Sequence, residues 1–206
     1  MLVVYHLNNS RSQRVLWLLE ELQVPYEVRR FQRNPVTNLA PPELAAVHPL
    51  GKSPMIEDDG RLIAESGAIV EYLCARHGTH LIPPGGSDAF IHHLELMHFA
   101  EGSAMTPILL DLYVGRLGPA GAPLAPRIQE QMRSHFSYME QSLRPSGHFV
   151  LDDLSAADIM LSFPAEIAIK QGYGETFPKL ASFVEHIHGR PAYQRALEIG
   201  GPYRFA

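Results

Sequence analysis

Hydrophobic and polar positions along the chain change their rhythm near residue 80. Before that point, short β-forming runs alternate with helical spacing. Leu2-Val3-Val4-Tyr5-His6-Leu7 is rich in β-formers and predicts a buried first strand. Val15, Leu18, Leu19 and Leu22 then fall at i, i+3, i+4 and i+7, one face of a helix that Pro25 stops. Tyr26 to Phe31 alternates loosely, as a second strand does. Residues 34–42 are polar and proline-rich and predict a loop, with one helical turn to follow at Glu43–Val47. Two short strands are predicted at Pro54–Glu57 and Arg61–Ala64, joined by the turn pair Asp59-Gly60, and a helix from Ser66 to about His77.

Beyond residue 80 no strand pattern is found. Leu81-Ile82-Pro83-Pro84-Gly85-Gly86 has the composition of a linker between domains. Ile128, Met132, Phe136, Met139 and Leu143 keep close to helical spacing, from a start near Pro126 to a stop at Pro145. Another helix begins at Leu154–Ile159, where Ser155 and Asp158 have capping-box spacing with Asp in place of Glu or Gln. Leu154 is placed for a hydrophobic staple against Ile159 or its neighbour. The order β-α-β-α-β-β-α over 1–80 is that of an α/β, thioredoxin-like domain. Residues 87–206 are expected to form an all-α domain of five or six helices.

Composition narrows the function classes. Apolar content of 46% and charged content of 19% are ordinary for a soluble globular protein. A formal charge of −5 without a basic run argues against a nucleic-acid binder. No apolar stretch approaches the ~20 residues of a membrane span. Met1–Leu7 lacks the charged and apolar regions of a signal peptide. Cys74 is the only cysteine, which excludes an intrachain disulfide, fits the cytoplasm and reads as a small buried hydrophobe. His92, His93 and His98 lack the i, i+4 spacing of ligands on one helix face, so no metal is expected. Gln171-Gly172-Tyr173-Gly174 lacks the preceding strand and third glycine of a dinucleotide fingerprint, and reads as a helix end.

Candidate chemistry concentrates in two segments. Within 49–66, Ser53-Pro54 opens a hairpin and Glu65-Ser66 starts a helix. An extended peptide could pair with such a backbone edge while its carboxylate sits on the helix N-terminus. The plain alternative for Glu65-Ser66 is a cap with a first-turn acid. The second segment, Asn8-Asn9-Ser10-Arg11-Ser12-Gln13-Arg14-Val15, links the first strand to the first helix. Ser10 and Gln13 have S-x-x-Q spacing, so Ser10 is either a capping-box residue or a functional hydroxyl.

These segments, the Leu154–Asp158 cap and the two-domain order resemble the glutathione transferase family from end to end. The first segment is most similar to bacterial and fungal members that use a serine. It lacks the tyrosine of the mammalian alpha, mu and pi classes, unless Tyr5 serves, and the cysteine of the omega and beta classes. The resemblance implies glutathione as co-substrate, with Ser10 donating to its thiolate. Asn9, through its amide NH₂, and Ser12 are the alternatives, and Arg11 adds positive potential. It further implies a cis Pro54, the Ser53 backbone on the cysteinyl part, and Lys52 on the glycyl carboxylate. Glu65 would take the γ-glutamyl ammonium and Ser66 the γ-glutamyl carboxylate. A small hydrophobic electrophile is expected between the domains, against Met97, Phe99, Met105, Ile108 and Tyr113 on the second domain's first helix. The implied activity is conjugation of glutathione thiolate to that electrophile. The alternatives are peroxide or disulfide reduction through glutathione alone, and a non-catalytic binding protein on the same scaffold. A cytoplasmic homodimer is implied, pairing the N-terminal domain of one subunit with the helical domain of the other.

Overall fold

An inner strand is covered on both faces, and a mostly apolar run suits it. That is the place of β1 (Leu2–Leu7), which is buried along its whole length. The computed structural model describes all of Met1–Ala206. It divides into two units, Met1–His80 with Ile187–Ala206, and Leu81–His186.

In the first unit β1 is followed by α1 (Ser12–Leu22), β2 (Tyr26–Phe31), α2 (Glu43–Val47), β3 (Met55–Asp58), β4 (Arg61–Ala64) and α3 (Ser66–His77). The sheet order is β2-β1-β3-β4, with β1 parallel to β2 and antiparallel to β3, and β3 antiparallel to β4. β3 starts one residue after Pro54, which has no N–H to give the ladder. The expected thioredoxin-like α/β order is therefore present.

The last helix of the chain, α9 (Pro191–Gly200), belongs to this first unit, whereas the sequence pattern groups it with the helices of 87–206. It covers the side of α1 that the apolar stripe leaves open. Trp17 and Tyr193 meet edge to face at 5.4 Å, and Glu21 and Glu20 pair with Arg190 and Arg195 at 2.6 and 3.0 Å. Every residue from Ser12 to Leu19 is buried as a result.

The second unit is helical: α4 (Asp88–Phe99), a π-helical turn at Ala100–Ala104, α5 (Met105–Gly115), α6 (Ala125–Ser142), α7 (Ala156–Lys170) and most of α8 (Pro178–His188). α7 is buried from Ala156 to Ala168, and its polar row, Asp158, Ser162 and Glu166, is buried with the rest of the helix. The expected capping box is formed. Ser155 Oγ accepts the Asp158 N–H at 3.4 Å, and Asp158 Oδ2 accepts the Ser155 N–H at 2.7 Å and the Ser155 hydroxyl. The other oxygen, Oδ1, accepts the Phe149 N–H at 2.9 Å, so this wholly buried carboxylate also holds the preceding loop. No helix is long and apolar enough to cross a membrane.

Candidate active site

Strand register gathers the motifs. Tyr5 pairs with Met55, and Met55 pairs with Ala64, both antiparallel. The end of β1, the start of β3 and the end of β4 therefore lie at one end of the sheet. The loop 8–11, Ser53-Pro54 and Glu65-Ser66 are the segments that continue from those strand ends.

The loop is clamped from β2's side by Arg33, whose N–H donates to Asn8 Oδ1 at 2.8 Å and whose Nε donates to the Asn8 carbonyl at 3.1 Å. Asn9 has φ +50°, a left-handed conformation that asparagine tolerates better than most residues. Its Oδ1 accepts the Arg204 N–H at 2.9 Å. Because an N–H faces that oxygen, the carboxamide has one admissible orientation, with its NH₂ turned the opposite way. That NH₂ makes no hydrogen bond within the chain.

Ser10 is buried, and its S-x-x-Q capping box does not form. Arg11 stands at the N-cap without a side-chain cap, and both amide atoms of Gln13 are buried without partners. Ser10 Oγ instead accepts the Ser12 N–H at 3.2 Å and lies 2.8 Å from Ser12 Oγ. The sense of this pair follows from His6. Nε2 of His6 lies 3.1 Å from the Gly200 carbonyl, an acceptor, so Nε2 carries a hydrogen. Burial pushes the His6 pKa down to about 4, so at neutral pH Nδ1 is a lone pair. Ser12 Oγ, 2.8 Å away, donates to it in preference to the Leu7 carbonyl at 3.2 Å. The single hydrogen of Ser12 is then used, and Ser10 is the donor between the two hydroxyls. At neutral pH the Ser10 hydrogen points into the protein.

His6 also makes stability depend on pH. Its folded pKa of about 4 lies below the ordinary 6.5, so the unfolded chain binds the extra proton between those values. Stability is complete above pH 6.5 and falls as pH drops toward 4, by about 3 kcal/mol across the window. Burial lowers His93 and His135 in the same direction. Urea unfolding at pH 7 and 4.5 should show a smaller loss in His6→Gln than in the natural protein. Equal losses would contradict this role for His6.

Tyr5, the alternative hydroxyl, is otherwise engaged. It donates to Glu57 Oε2 at 2.7 Å and accepts from Arg29 at 3.2 Å, and burial raises its pKa. The Ser53–Pro54 peptide bond is cis, Pro54 is buried, and Ser53 Oγ donates to the Tyr5 carbonyl at 2.9 Å. Glu65 has φ +70°, a sparsely populated conformation for a residue with a side chain and one often found at functional sites. It stands at the N-cap of α3 yet its side chain makes no capping bond, so the plain cap is not what this residue supplies. Glu65 is exposed, Ser66 beside it is buried, and Lys52 is exposed.

Profiles of the glutathione S-transferase N-terminal domain and the glutathione S-transferase C-terminal domain match residues 10–76 and 123–198. Glutathione S-transferase 3 of Schizosaccharomyces pombe is 32% identical over 213 residues, covering 96% of this chain and 87% of its own. The chain belongs to the glutathione S-transferase family. A glutathione S-transferase-like protein of Aspergillus terreus, gedE, is 44% identical over 92% of this chain and 91% of its own. The crystal structure of a glutathione S-transferase from Actinobacillus pleuropneumoniae matches with a TM-score of 0.90 and 30% identity, over 100% of this chain and 95% of that one.

In this glutathione S-transferase family member the expected apolar substrate residues are not equivalent. The π-helical turn divides them, leaving Met97 and Phe99 on α4 and Met105, Ile108 and Tyr113 on α5. Met105 and Ile108 are buried, at 2% and 6% exposure, whereas Tyr113 is 57% exposed. Helical spacing alone did not separate core positions from surface ones. A cavity of about 670 Å³ in the second unit is lined by Arg144, Lys179, Ser182, Phe183 and His186 among others, and by none of the residues expected to meet substrate. Cys74 is fully buried and its thiol is pushed up to about 12, which makes it inert. No group of three His, Cys, Asp or Glu residues is placed to hold a metal ion.

Sequence reasoning missed His6, Arg33, Gly200 and Arg204. A histidine inside an otherwise apolar strand was the available signal for the first.

Proposed function

We propose that this chain is a glutathione transferase that adds the glutathione thiolate to small hydrophobic electrophiles. The observation that carries the reading is the register that puts the loop 8–11, cis Ser53-Pro54 and Glu65-Ser66 at one end of the sheet. Glutathione is an extended peptide with a carboxylate at each end and a thiol between them. The Ser53 backbone takes the cysteinyl part, and Lys52 takes the glycyl carboxylate. Glu65 takes the γ-glutamyl ammonium, while Ser66 and the uncapped N–H groups of α3 take its carboxylate.

A free thiol has a pKa near ~8.5 and is mostly protonated at neutral pH. A donor aimed at sulfur stabilises the thiolate, and the thiol proton leaves to solvent. The sulfur then forms a bond to the electrophilic carbon, and the leaving group departs with its electron pair. Ser10 and Asn9 are the candidate donors. The inward sense of the Ser10 hydroxyl and the unpartnered Asn9 NH₂ favour Asn9. Arg11 adds positive potential at the loop. Tyr113, exposed on α5, and the buried Met105 and Ile108 are the proposed contacts for the electrophile. The protein works as a cytoplasmic homodimer in this reading.

The test is glutathione-dependent activity on a chloronitrobenzene, run beside a hydroperoxide. Conjugation as the faster reaction is expected. Hydroperoxide reduction alone would assign the peroxidase, and no turnover of either would leave a binding protein.

A further inference from the structure

The backbone that leaves α9 is tied to the active-site loop and its flanking strands at three points. The Ile199 carbonyl accepts from Arg30 Nε and Nη2 at 3.1 and 2.7 Å. The Gly200 carbonyl accepts from His6 Nε2 at 3.1 Å. Both carbonyls are at a helix C-terminus, where intrahelical partners run out, so the helix end is capped by side chains of β1 and β2. The approach is close: a Cβ at Gly200 would come within 2.7 Å of Gln13 Oε1 and 3.0 Å of Leu16 Cδ1. Gly201, at φ +81°, then turns the chain, and the Arg204 N–H reaches Asn9 Oδ1 at 2.9 Å.

We propose that residue 204 is a positioning residue for the reaction, acting through its backbone N–H, which fixes the direction of the Asn9 carboxamide. The inference rests on the glutathione reading given above. A carboxamide on a loop can turn either its NH₂ or its oxygen toward a bound sulfur, and only the NH₂ stabilises a thiolate. The oxygen would face it lone pair to negative charge. The Arg204 N–H accepts one orientation and rejects the other, because an N–H cannot pair with an NH₂. The anchor is itself held, since the segment that carries it is fastened at Ile199 and Gly200 to the strands from which the loop emerges.

Arg204→Pro removes the N–H together with the guanidinium. Residue 204 is the second position of the turn closed by the Ala206 N–H on the Tyr203 carbonyl at 3.4 Å, and proline suits that position. The comparison is Arg204→Ala, which also loses the guanidinium stacked on Phe205 but keeps the N–H. Ultraviolet titration of enzyme-bound glutathione reads the thiol pKa, and steady-state kinetics separates kcat from KM. The proline variant should have a higher bound-thiol pKa than the alanine variant and a kcat lower by roughly five- to tenfold, the factor that one lost hydrogen bond carries. KM for glutathione should be similar in the two. Placed on Asn9→Ala, Arg204→Pro should have no further effect on the thiol. If the proline variant does not fold, an α-hydroxy acid at 204 replaces the N–H by an ester oxygen without constraining φ, and the same shifts are expected. Equal thiol pKa and kcat in the proline and alanine variants, or an equal effect with and without Asn9, would overturn the proposal alone. A natural protein that leaves the thiol pKa of glutathione at its free value would overturn the glutathione reading and this proposal with it.

Discussion

Asn9→Ala should lower the conjugation rate by about 10²-fold, the scale for losing one preorganised donor to a localised negative charge. Glutathione affinity should change much less, because the tripeptide is held mainly at Ser53, Glu65 and Ser66 in the proposed complex. The loss belongs in kcat and in the pKa of the bound thiol, which should rise toward ~8.5. Ser10→Ala is the comparison. Its hydroxyl donates to Ser12 at neutral pH and accepts the Ser12 N–H, so removing it disturbs the loop without deleting an outward donor. A smaller loss is expected for it. Full activity in Asn9→Ala with a large loss in Ser10→Ala would reverse the assignment and make the hydroxyl the donor.

Asp158→Ala should destabilise the protein by about 2–6 kcal/mol, the range for leaving two buried N–H groups unpaired at about 1–3 kcal/mol each. Its carboxylate accepts from the Phe149 N–H, the Ser155 N–H and the Ser155 hydroxyl, and none of it is exposed to water. The substitution leaves two buried N–H groups unpaired and a cavity at the start of α7. Since whole domains are stable by only about 5–15 kcal/mol, this is a large fraction of the total. Urea unfolding of the purified variant gives the number. A change below about 1 kcal/mol would mean that water or a shifted loop replaces the carboxylate.

Much of the first unit was legible in its pattern because the rules that shape it are local. A mostly apolar run became the inner strand and Asp59-Gly60 became the hairpin turn, and in the second unit Ser155 with Asp158 became the cap of α7. The missed features depend on partners distant in the chain. Trp17 is off the apolar stripe of α1 yet fully buried, because α9 returns to cover it. His6 meets Gly200 and Asn9 meets Arg204 through backbone atoms, which side-chain chemistry does not announce. Ser10 and Gln13 have the spacing of a capping box, but Ser12 offers Ser10 a nearer partner and the box is not made. Met105 and Ile108, expected to line the substrate cleft, are buried while Tyr113 is exposed, a difference that helical spacing does not announce.

In the proposed function this end of the sheet binds glutathione and holds it as a thiolate. The direct measurement is a pH titration of thiolate absorbance for glutathione bound to the natural protein, against free glutathione in the same buffer. A bound-thiol pKa clearly below the free value of ~8.5 is expected. Saturating glutathione that titrates as it does in water, or that does not bind, would contradict it.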